Sequence, residues 1–281
     1  MAEVLITGAS TGIGEATALH LDRLGHRVFA GVRKASDGER LAGASRSGRL
    51  QPVTLDVTDP AQIEGAIAEV SEATDGRLDG VVNNAGVAVG GPLEFLPLDD
   101  FRMQMDINVT GLLAVTQAAL PLVRRSARGR VVFVGSISGR LAVPMTGAYS
   151  ASKFAVEALS DAFRMELAPF GIGVSLIQPG AIKTPIWDKG RAQADEMSQK
   201  YDAEALELYR DGVQSVVEGI EQQDRAGIDP IEVAKAIEKA LFAERPAARY
   251  KVGTDAKAGA VLARVLPDRA KDLVITKFIR P

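Results

Sequence analysis

The stretch VLITGASTGIG, residues 4–14, decides the fold of this 281-residue chain. It begins with an apolar run too short for a helix, enters a glycine-rich turn, and is followed by a helix-forming segment that Gly25 ends. Glycines let the backbone approach a ligand closely, and a helix start offers unpaired N–H groups and a positive dipole end to a pyrophosphate. A second apolar run at residues 26–32 completes a strand-helix-strand unit. The stretch therefore predicts a dinucleotide-binding α/β fold.

The remainder of the chain alternates strand-like apolar runs with helical segments. This alternation predicts a doubly wound parallel sheet with helices on both faces, the Rossmann fold, in a single domain spanning residues 1–281. Ligands in such sheets bind at the carboxyl ends of the strands, near the point where strand order reverses. The predicted strands are 4–7, 27–32, 50–55, 80–83, 130–135, 173–178 and 249–253, with helices after Thr11, Pro60, Leu98, Ala151 and Pro230.

Composition narrows the classes of function. The net charge of −3 lacks the excess of positive charge that is typical of nucleic-acid-binding proteins, so no nucleic-acid partner is predicted. The chain has no cysteine, and its two histidines, His20 and His26, are expected at surface positions of the first helix, so no metal site is predicted. The sequence enters the first strand without a charged leader, and no uninterrupted apolar run reaches ~18 residues, the length of a membrane span. These features favour a cytoplasmic protein with no integral membrane segment.

Tyr149 and Lys153 form the strongest candidate for catalysis. Residues four apart on a helix share one face. A free phenol has a pKa of ~10, and lowering it to about 7 requires roughly 4 kcal/mol of preference for the phenolate. An ammonium ~4 to 5 Å away supplies about that much at an effective dielectric near ~20. The alternative interpretation is a half-buried tyrosine beside a solvated lysine.

Several motifs in a fixed order give the chain a family resemblance. The Gly-x-x-x-Gly-x-Gly spacing after Thr7 departs from the commonest dinucleotide fingerprint and resembles the nucleotide loop of the short-chain dehydrogenase/reductase family. The resemblance covers roughly residues 2 to 190, and the length, Arg33 and the C-terminal extension look most like the steroid and retinoid branch. The further motifs are Asn83-Asn84-Ala85-Gly86, Asn108, Ser136 in Gly135-Ser136-Ile137-Ser138, Tyr149 with Lys153, and Pro179-Gly180 followed by Thr184.

The resemblance implies hydride transfer between a nicotinamide cofactor and a small-molecule carbonyl or alcohol, with protein groups managing the proton. Tyr149 would donate a proton to the carbonyl oxygen in reduction or accept one from the alcohol in oxidation. Lys153 would lower the phenol pKa and hold the nicotinamide ribose, and Ser136 would hydrogen-bond the substrate oxygen. Asn108 would sit at an irregularity in its helix and hold a water that connects Lys153 to solvent.

The end of the second predicted strand bears on cofactor choice. Dinucleotide folds that prefer NAD place an acid there against the ribose hydroxyls. This chain instead has Val32 followed by Arg33, and a guanidinium can pair with the 2′-phosphate of NADP(H) and stack on the adenine. The alternative is that Arg33 is a solvated loop residue. Thr11 could add a hydroxyl to the same phosphate. Asp56 resembles the family's adenine-contacting acid, although an acid entering a helix near Thr58 is an alternative.

Other cofactor contacts are implied after the later strands. Asn84 to Gly86 would let the backbone approach the cofactor, although an ordinary strand-to-turn transition also explains such residues. Ile182 and Thr184 would meet the carboxamide end of the nicotinamide. The full predicted set is Gly8, Ser10, Thr11, Gly12, Ile13, Gly14, Arg33, Asp56, Val57, Asn84, Ala85, Gly86, Tyr149, Lys153, Ile182 and Thr184.

The segments 185–229 and 254–281 are predicted to be a substrate lid and a C-terminal extension. The lid carries apolar residues among many charges, consistent with amphipathic helices over a hydrophobic carbonyl or alcohol, although these residues could simply pack against the body. The extension could cover a subunit interface of a homo-oligomer or touch a membrane surface. Two alternative functions stay open, a reductase of a small polar or carrier-tethered ketone and a non-catalytic sensor of NADP(H). The apolar lid residues are Trp187, Met197, Tyr201, Leu206, Leu208, Tyr209, Val213 and Val216.

Overall fold

The computed structural model describes residues 1–185 and 207–278 and contains one parallel sheet. Within these residues seven strands lie in the order β3-β2-β1-β4-β5-β6-β7, and each neighbouring pair is parallel. The predicted Rossmann-like fold is confirmed, and each predicted strand agrees with an observed strand to within one residue at either end. The strands are β1 (Glu3–Ile6), β2 (Arg27–Val32), β3 (Leu50–Thr54), β4 (Gly80–Asn83), β5 (Arg130–Val134), β6 (Gly173–Pro179) and β7 (Arg249–Val252).

Helices cover both faces of the sheet, which explains why the strands are almost continuously apolar. Side chains alternate between the faces of a strand, so Leu5 enters one core while Val4 and Ile6 enter the other. The helices are α1 (Gly12–Arg23), α2 (Ala35–Ala44), α3 (Pro60–Ala73), α4 (Leu98–Met105), α5 (Leu112–Val123), α6 (Gly147–Leu167), α7 (Arg210–Ala226), α8 (Pro230–Phe242), α9 (Thr254–Val265) and α10 (Asp268–Phe278). Helices α3, α5 and α6 pack on the first face, and α1 and α8 pack on the second.

The structure contains helices α2, α9 and α10 in addition to those predicted, and its α6 begins earlier than predicted. Helix α2 was not predicted, because its sequence contains two glycines and a serine that disfavour an isolated helix. Packing stabilises it, since Leu41 is buried and Gly38 lies against Pro52, where an added Cβ would come within 2.8 Å of the Pro52 Cβ. Helix α6 begins at Gly147 rather than after Ala151, so Tyr149 lies in its first turn.

A buried ion network fastens α6 to the last two strands. The Glu157 carboxylate accepts from the Arg249 Nε at 3.0 Å and from the Gln178 amide, while the Arg249 Nη2 lies 2.7 Å from the Asp161 carboxylate. The hydrogen bond from Arg249 is the main reason that the pKa of Asp161 lies below its usual value. Glu157 follows Lys153 by one helical turn, so the network fixes the helix that carries Tyr149 and Lys153 relative to β6 and β7.

One helical stretch among the described residues, Leu98–Val123, is long and apolar enough to cross a membrane by length and composition. It comprises α4, a π-helical segment at Asp106–Gly111, and α5. Half of its apolar window is buried inside the protein, and a core helix passes the same test. The stretch is therefore weak evidence for a membrane span.

Candidate active site

The glycine-rich loop between β1 and α1 lies directly against the turn that follows β4. Gly8 and Gly12 have φ of +63° and +59°, in the left-handed region that favours glycine. A Cβ on Gly8 would come within 2.8 Å of the Ala85 Cα, and a Cβ on Gly14 would collide with the Gly8 carbonyl oxygen. Strand order reverses between β1 and β4, so this contact lies at the crevice where such sheets bind ligands.

Hydrogen bonds fix the turn after β4 on the glycine-rich loop. The Thr7 hydroxyl accepts from the Asn84 and Ala85 backbone N–H groups at 3.0 and 2.9 Å. The Asn84 side-chain amide donates to the Thr7 and Gly8 carbonyls, each at 3.0 Å. The Asn84 side chain therefore holds the loop, while Gly86 keeps space beside Asn108, whose Oδ1 would lie 3.3 Å from an added Cβ.

The amino end of α1 is suited to an anion. Thr11 is its N-cap residue, yet the Thr11 side chain makes no capping hydrogen bond to the first turn. A helix N-terminus left in this state presents backbone N–H groups and a positive dipole end to a phosphate. The Ile13 side chain packs against the core. The predicted contact between Ile13 and a cofactor stays a prediction. These features, with the glycine cradle, fit the pyrophosphate of a dinucleotide.

The residues after β2 and β3 come together at the far end of the same edge. Arg33 is exposed and close enough to Asp56 for its charge to act on that carboxylate. Burial raises the pKa of Asp56, but hydrogen bonds from Thr58 and the charge of Arg33 hold it below its usual value. The Asp56 Oδ1 accepts both the Thr58 N–H at 2.9 Å and the Thr58 hydroxyl at 2.7 Å, so Asp56 does shape the entry to α3. The Val57 side chain is buried in the core.

Arg40 is a residue at this end that the sequence did not predict. It lies on α2 and donates to the Glu15 carboxylate on α1 and to the Ser10 carbonyl in the glycine-rich loop, each at 2.5 Å. The hydrogen bond to Glu15 raises the pKa of Arg40. Because α2 was not recognised as a helix, no sequence signal placed Arg40 beside the loop.

Ser136, Tyr149 and Lys153 converge beyond the carboxyl end of β5. Ser136 follows the strand, and its side chain lies close enough to the Tyr149 phenol to act on the pKa of that group. Lys153 is buried, donates to the Val134 carbonyl at 3.0 Å, and holds its Nζ 5.6 Å from the centroid of the Tyr149 ring. The three predicted catalytic side chains thus share one cluster, with the ammonium over the ring face.

The predicted lowering of the Tyr149 pKa is wrong for the protein without cofactor. Burial raises the pKa of the phenol, and the Ser136 side chain offsets only part of that rise. Burial also lowers the pKa of the Lys153 ammonium from 10.5 to about 8. The sequence argument considered the distance between the two groups but not the loss of water around both of them. Tyr149 therefore holds its proton at neutral pH.

Asn108 lies in the π-helical segment Asp106–Gly111, the irregularity implied by the family resemblance. Its side-chain amide donates to the Val87 carbonyl at 2.9 Å and to the Ser152 hydroxyl at 3.0 Å, and its oxygen accepts from the Val87 N–H at 2.9 Å. Asn108 thus ties the turn after β4 to α6. The water between Asn108 and Lys153 stays a prediction. Gln104, fully buried one turn earlier, makes similar bonds to Val87 and Val89 and was not predicted.

The loop after β6 contributes Ile182 and Thr184. The Ile182 side chain is 4% exposed and packs in the core, so it anchors the loop. Thr184 is half-buried beside the glycine-rich loop, and its Cγ2 would lie 3.0 Å from a Cβ added to Gly12. The loop after β6 and the loop after β1 therefore border the same crevice from opposite sides.

The family model for short chain dehydrogenases matches residues 2–195, more than half of the chain. The chain belongs to the short-chain dehydrogenase family. It is 36% identical over 250 residues to 3-ketodihydrosphingosine reductase of Bacteroides thetaiotaomicron, covering 89% of this chain and 87% of that protein. It is 40% identical over 260 residues to retinol dehydrogenase 16 of Homo sapiens, covering 90% and 81%.

The solved structures agree with the sequence relatives. A short-chain dehydrogenase from Streptomyces avermitilis matches with a TM-score of 0.77 and 30% identity, covering 99% of this chain and 97% of that one. The family predicted from the order of the motifs is confirmed, and retinol dehydrogenases are among the relatives. Members of this family are oxidoreductases that bind nicotinamide cofactors.

In this short-chain dehydrogenase an apolar wall lies beside the segment that leads to Tyr149. Val89 and Met145 are buried, and Leu93 packs against the start of α6 at Gly147. Met145 has φ of +65°, uncommon for a residue with a Cβ, and its carbonyl accepts the Gly91 N–H at 2.6 Å. This bond joins the loop after β4 to the loop before Tyr149. A positive φ at methionine cannot be predicted from residue type, so this bond was not predicted.

The described part of the predicted lid contacts the loop after β4, at residues that follow Leu93 in the sequence. The Tyr209 hydroxyl donates to the Glu94 carboxylate at 2.8 Å, and its ring meets Phe95 edge-on at 5.9 Å between centroids. Leu208 is 62% exposed. Trp187, Met197, Tyr201 and Leu206 lie outside the described residues, so their predicted role in the lid is untested.

Both histidines are partly exposed, and each contacts helix α8. The His20 Nε2 lies 2.7 Å from the Glu238 carboxylate on α8, and the His26 ring stacks on Phe242 with 4.3 Å between centroids. Burial lowers the pKa of His26. The His20 ring thus joins α1 to α8, and the His26 ring joins the turn before β2 to α8. Within residues 1–185 and 207–278, no three histidine, aspartate or glutamate side chains are grouped in a way that could hold a metal ion.

Proposed function

We propose that this short-chain dehydrogenase is an NADP(H)-dependent oxidoreductase that interconverts a ketone or aldehyde and an alcohol on a hydrophobic substrate, with Tyr149 as the general acid and base. The observation that carries the proposal is the cluster of Ser136, Tyr149 and buried Lys153 at the crevice that the glycine-rich loop borders. A non-catalytic sensor of NADP(H) would need the glycine-rich loop but not this cluster.

The bound nicotinamide would supply or take a hydride at the carbonyl or alcohol carbon. In reduction, Tyr149 would give its proton to the carbonyl oxygen, which becomes the alcohol hydroxyl. Ser136 would donate to the same oxygen as negative charge develops, and Lys153 would hold the ribose. In oxidation Tyr149 would accept the proton from the alcohol hydroxyl.

Arg33 supports NADP(H) as the cofactor. It occupies the end of β2, where an acid would repel a 2′-phosphate, and its guanidinium is exposed at the edge of the crevice. Arg40 already binds Glu15 and the Ser10 carbonyl, so we assign it to holding the loop. Thr11, whose hydroxyl makes no capping bond, would add a second contact to the phosphate.

The apolar wall supports a hydrophobic substrate. Val89, Leu93 and Met145 lie beside the loop that leads to Tyr149. Two relatives are named for 3-ketodihydrosphingosine and for retinol, both molecules with long apolar chains. Burying such a chain contributes about 25 cal/mol per Å² of apolar surface, which a small polar ketone does not provide.

The experiment that tests this function is consumption of NADPH against a panel of carbonyl compounds. The panel runs from sugars and carrier-tethered ketoacyl groups to steroid ketones, retinal and long-chain ketones. We expect the highest kcat/KM with the long apolar compounds. Faster turnover of a small polar or carrier-tethered ketone would favour the alternative reductase, and NADPH binding without consumption on any compound would favour the sensor.

Arg33→Ala tests the cofactor assignment. Losing a hydrogen bond to a charged group costs about 1.5 to 3 kcal/mol, so we expect the Kd for NADP(H) to rise ~10 to 150-fold while NAD(H) is much less affected. Titration of cofactor fluorescence measures both constants. Lys34→Ala is the matched control, because it removes the neighbouring exposed cation. Equal losses for both cofactors, or a wild-type protein that prefers NADH, would overturn the assignment.

The single domain, the cytoplasmic location and the homo-oligomer stay predictions. Light scattering after gel filtration measures the mass in solution, and a mass of 29.7 kDa, that of one chain, would contradict the oligomer.

A further inference from the structure

Asp255, in the first turn of α9, is bonded to the loop that follows β6. Its Oδ2 accepts the Ala181 backbone N–H at 2.6 Å, a contact between residues 74 positions apart. The carboxylate fits only because two glycines make room for it. A Cβ added to Gly180 or to Gly253 would collide with the Asp255 carboxylate, and Gly253 has φ of +105°.

The other side of the same loop is held by Ile228. The Ala181 carbonyl accepts from the Ile228 N–H at 3.1 Å, and the Lys183 N–H donates to the Ile228 carbonyl at 3.0 Å. Asp255 therefore closes a set of bonds that holds the chain just before Ile182 and Thr184. Without it, the Ala181 N–H would lose its side-chain partner, while the bonds with Ile228 would remain.

Helix α9 also packs against the segment that follows Ser136. A Cβ on Gly259 would come within 2.8 Å of the Ile137 Cγ1, so the helix and this segment are in close contact. Helix α9 thus contacts the segment that follows Ser136, and its Asp255 forms a hydrogen bond with the loop that contains Thr184.

We propose that Asp255 is a positioning residue that sets the loop meeting the nicotinamide end of the cofactor, and that α9 is therefore part of the active-site framework. The inference rests on the proposed function for the identity of the ligand. It predicts an effect confined to one half of the cofactor. Asp255 acts near Ile182 and Thr184, whereas Arg33 acts at the adenosine phosphate.

The test compares Asp255→Ala with Asp255→Asn, whose amide oxygen can accept the same N–H. The probes are NADP⁺ and adenosine 2′,5′-bisphosphate, which carries the 2′-phosphate but has no nicotinamide. We expect Asp255→Ala to raise the Kd for NADP⁺ about 10-fold, to lower kcat by a similar factor, and to leave the Kd for the bisphosphate unchanged. Asp255→Asn should restore most of both losses. Asp272→Ala, an exposed aspartate on α10, is the matched control.

A second measurement tests the role of Asp255 without cofactor and without an activity assay. Hydrogen exchange of the Ala181 amide in the cofactor-free protein should accelerate about 10-fold in Asp255→Ala and return toward the wild-type rate in Asp255→Asn. Unchanged exchange would overturn the bond between Asp255 and the loop. Faster exchange with equal losses for NADP⁺ and the bisphosphate would overturn the positioning role. Should the wild-type protein fail to bind NADP⁺, the proposed function fails, and the exchange rates alone decide the role of Asp255 in the loop.

Discussion

Tyr149→Phe is expected to lower kcat for carbonyl reduction by at least ~100-fold while NADPH binding is retained, because the variant loses only the hydroxyl that carries the proton. The Ser136 hydroxyl stays in place but cannot replace it, because an alcohol hydroxyl is a far weaker acid than a phenol. Steady-state kinetics with a long-chain ketone and fluorescence titration with NADPH provide the two measurements.

Tyr250→Phe is the matched control for that experiment. The Tyr250 hydroxyl accepts the Ala247 N–H at 3.0 Å on β7, away from the crevice, so the control removes a phenol hydroxyl outside the site. Near-normal turnover in a folded Tyr149→Phe protein would exclude Tyr149 as the proton donor.

Lys153→Met is expected to abolish most turnover and weaken cofactor binding, yet to stabilise the cofactor-free protein at pH 7. Burial lowers the pKa of Lys153 from 10.5 to about 8, so at pH 7 the folded protein carries a buried charge that costs roughly 3 kcal/mol. Methionine has a similar shape and no charge, although it loses the bond to the Val134 carbonyl. We therefore expect a net gain of about 1 to 2 kcal/mol in the free energy of unfolding.

The pH dependence of the stability difference between Lys153→Met and the wild-type protein gives a sharper test. Between pH 8 and 10.5 the wild-type lysine is neutral when folded and still protonated when unfolded. The unfolded state then binds more protons, so wild-type stability rises with pH and the advantage of Lys153→Met shrinks. Denaturant titrations of both proteins at pH 7 and pH 10 measure it. A variant that is less stable than wild type at both pH values would show that Lys153 increases the free energy of unfolding and would contradict this prediction.

The sequence predicted the strands and the crevice because both are encoded locally. Continuous apolar runs identify buried parallel strands, and the glycine spacing after Thr7 identifies a loop in which the backbone must approach another segment. The same glycines meet Ala85 and Thr184 in the structure. Ser136 and Tyr149 could be predicted because the spacing between them matches the motif pattern of the family.

Long-range contacts and burial were not predictable in the same way. Arg40 lies beside Ser10 only because α2 folds against Pro52, and Asp255 meets Ala181 only after β6 and β7 have paired. Whether the pKa of Tyr149 is raised or lowered depends on how much water the surrounding elements exclude. The spacing of Tyr149 and Lys153 does not predict that burial.

The most direct measurement of the central claim is transfer of deuterium to a long-chain ketone from NADPH that carries deuterium at both hydrogens of its nicotinamide C4. Mass spectrometry of the alcohol counts deuterium in the product, and absorbance counts the NADPH consumed. We expect one deuterium in each alcohol and one NADPH consumed for each alcohol formed, with Tyr149→Phe at least ~100-fold slower. A wild-type protein that binds NADPH and transfers no deuterium to any ketone or aldehyde of the panel would contradict the claim.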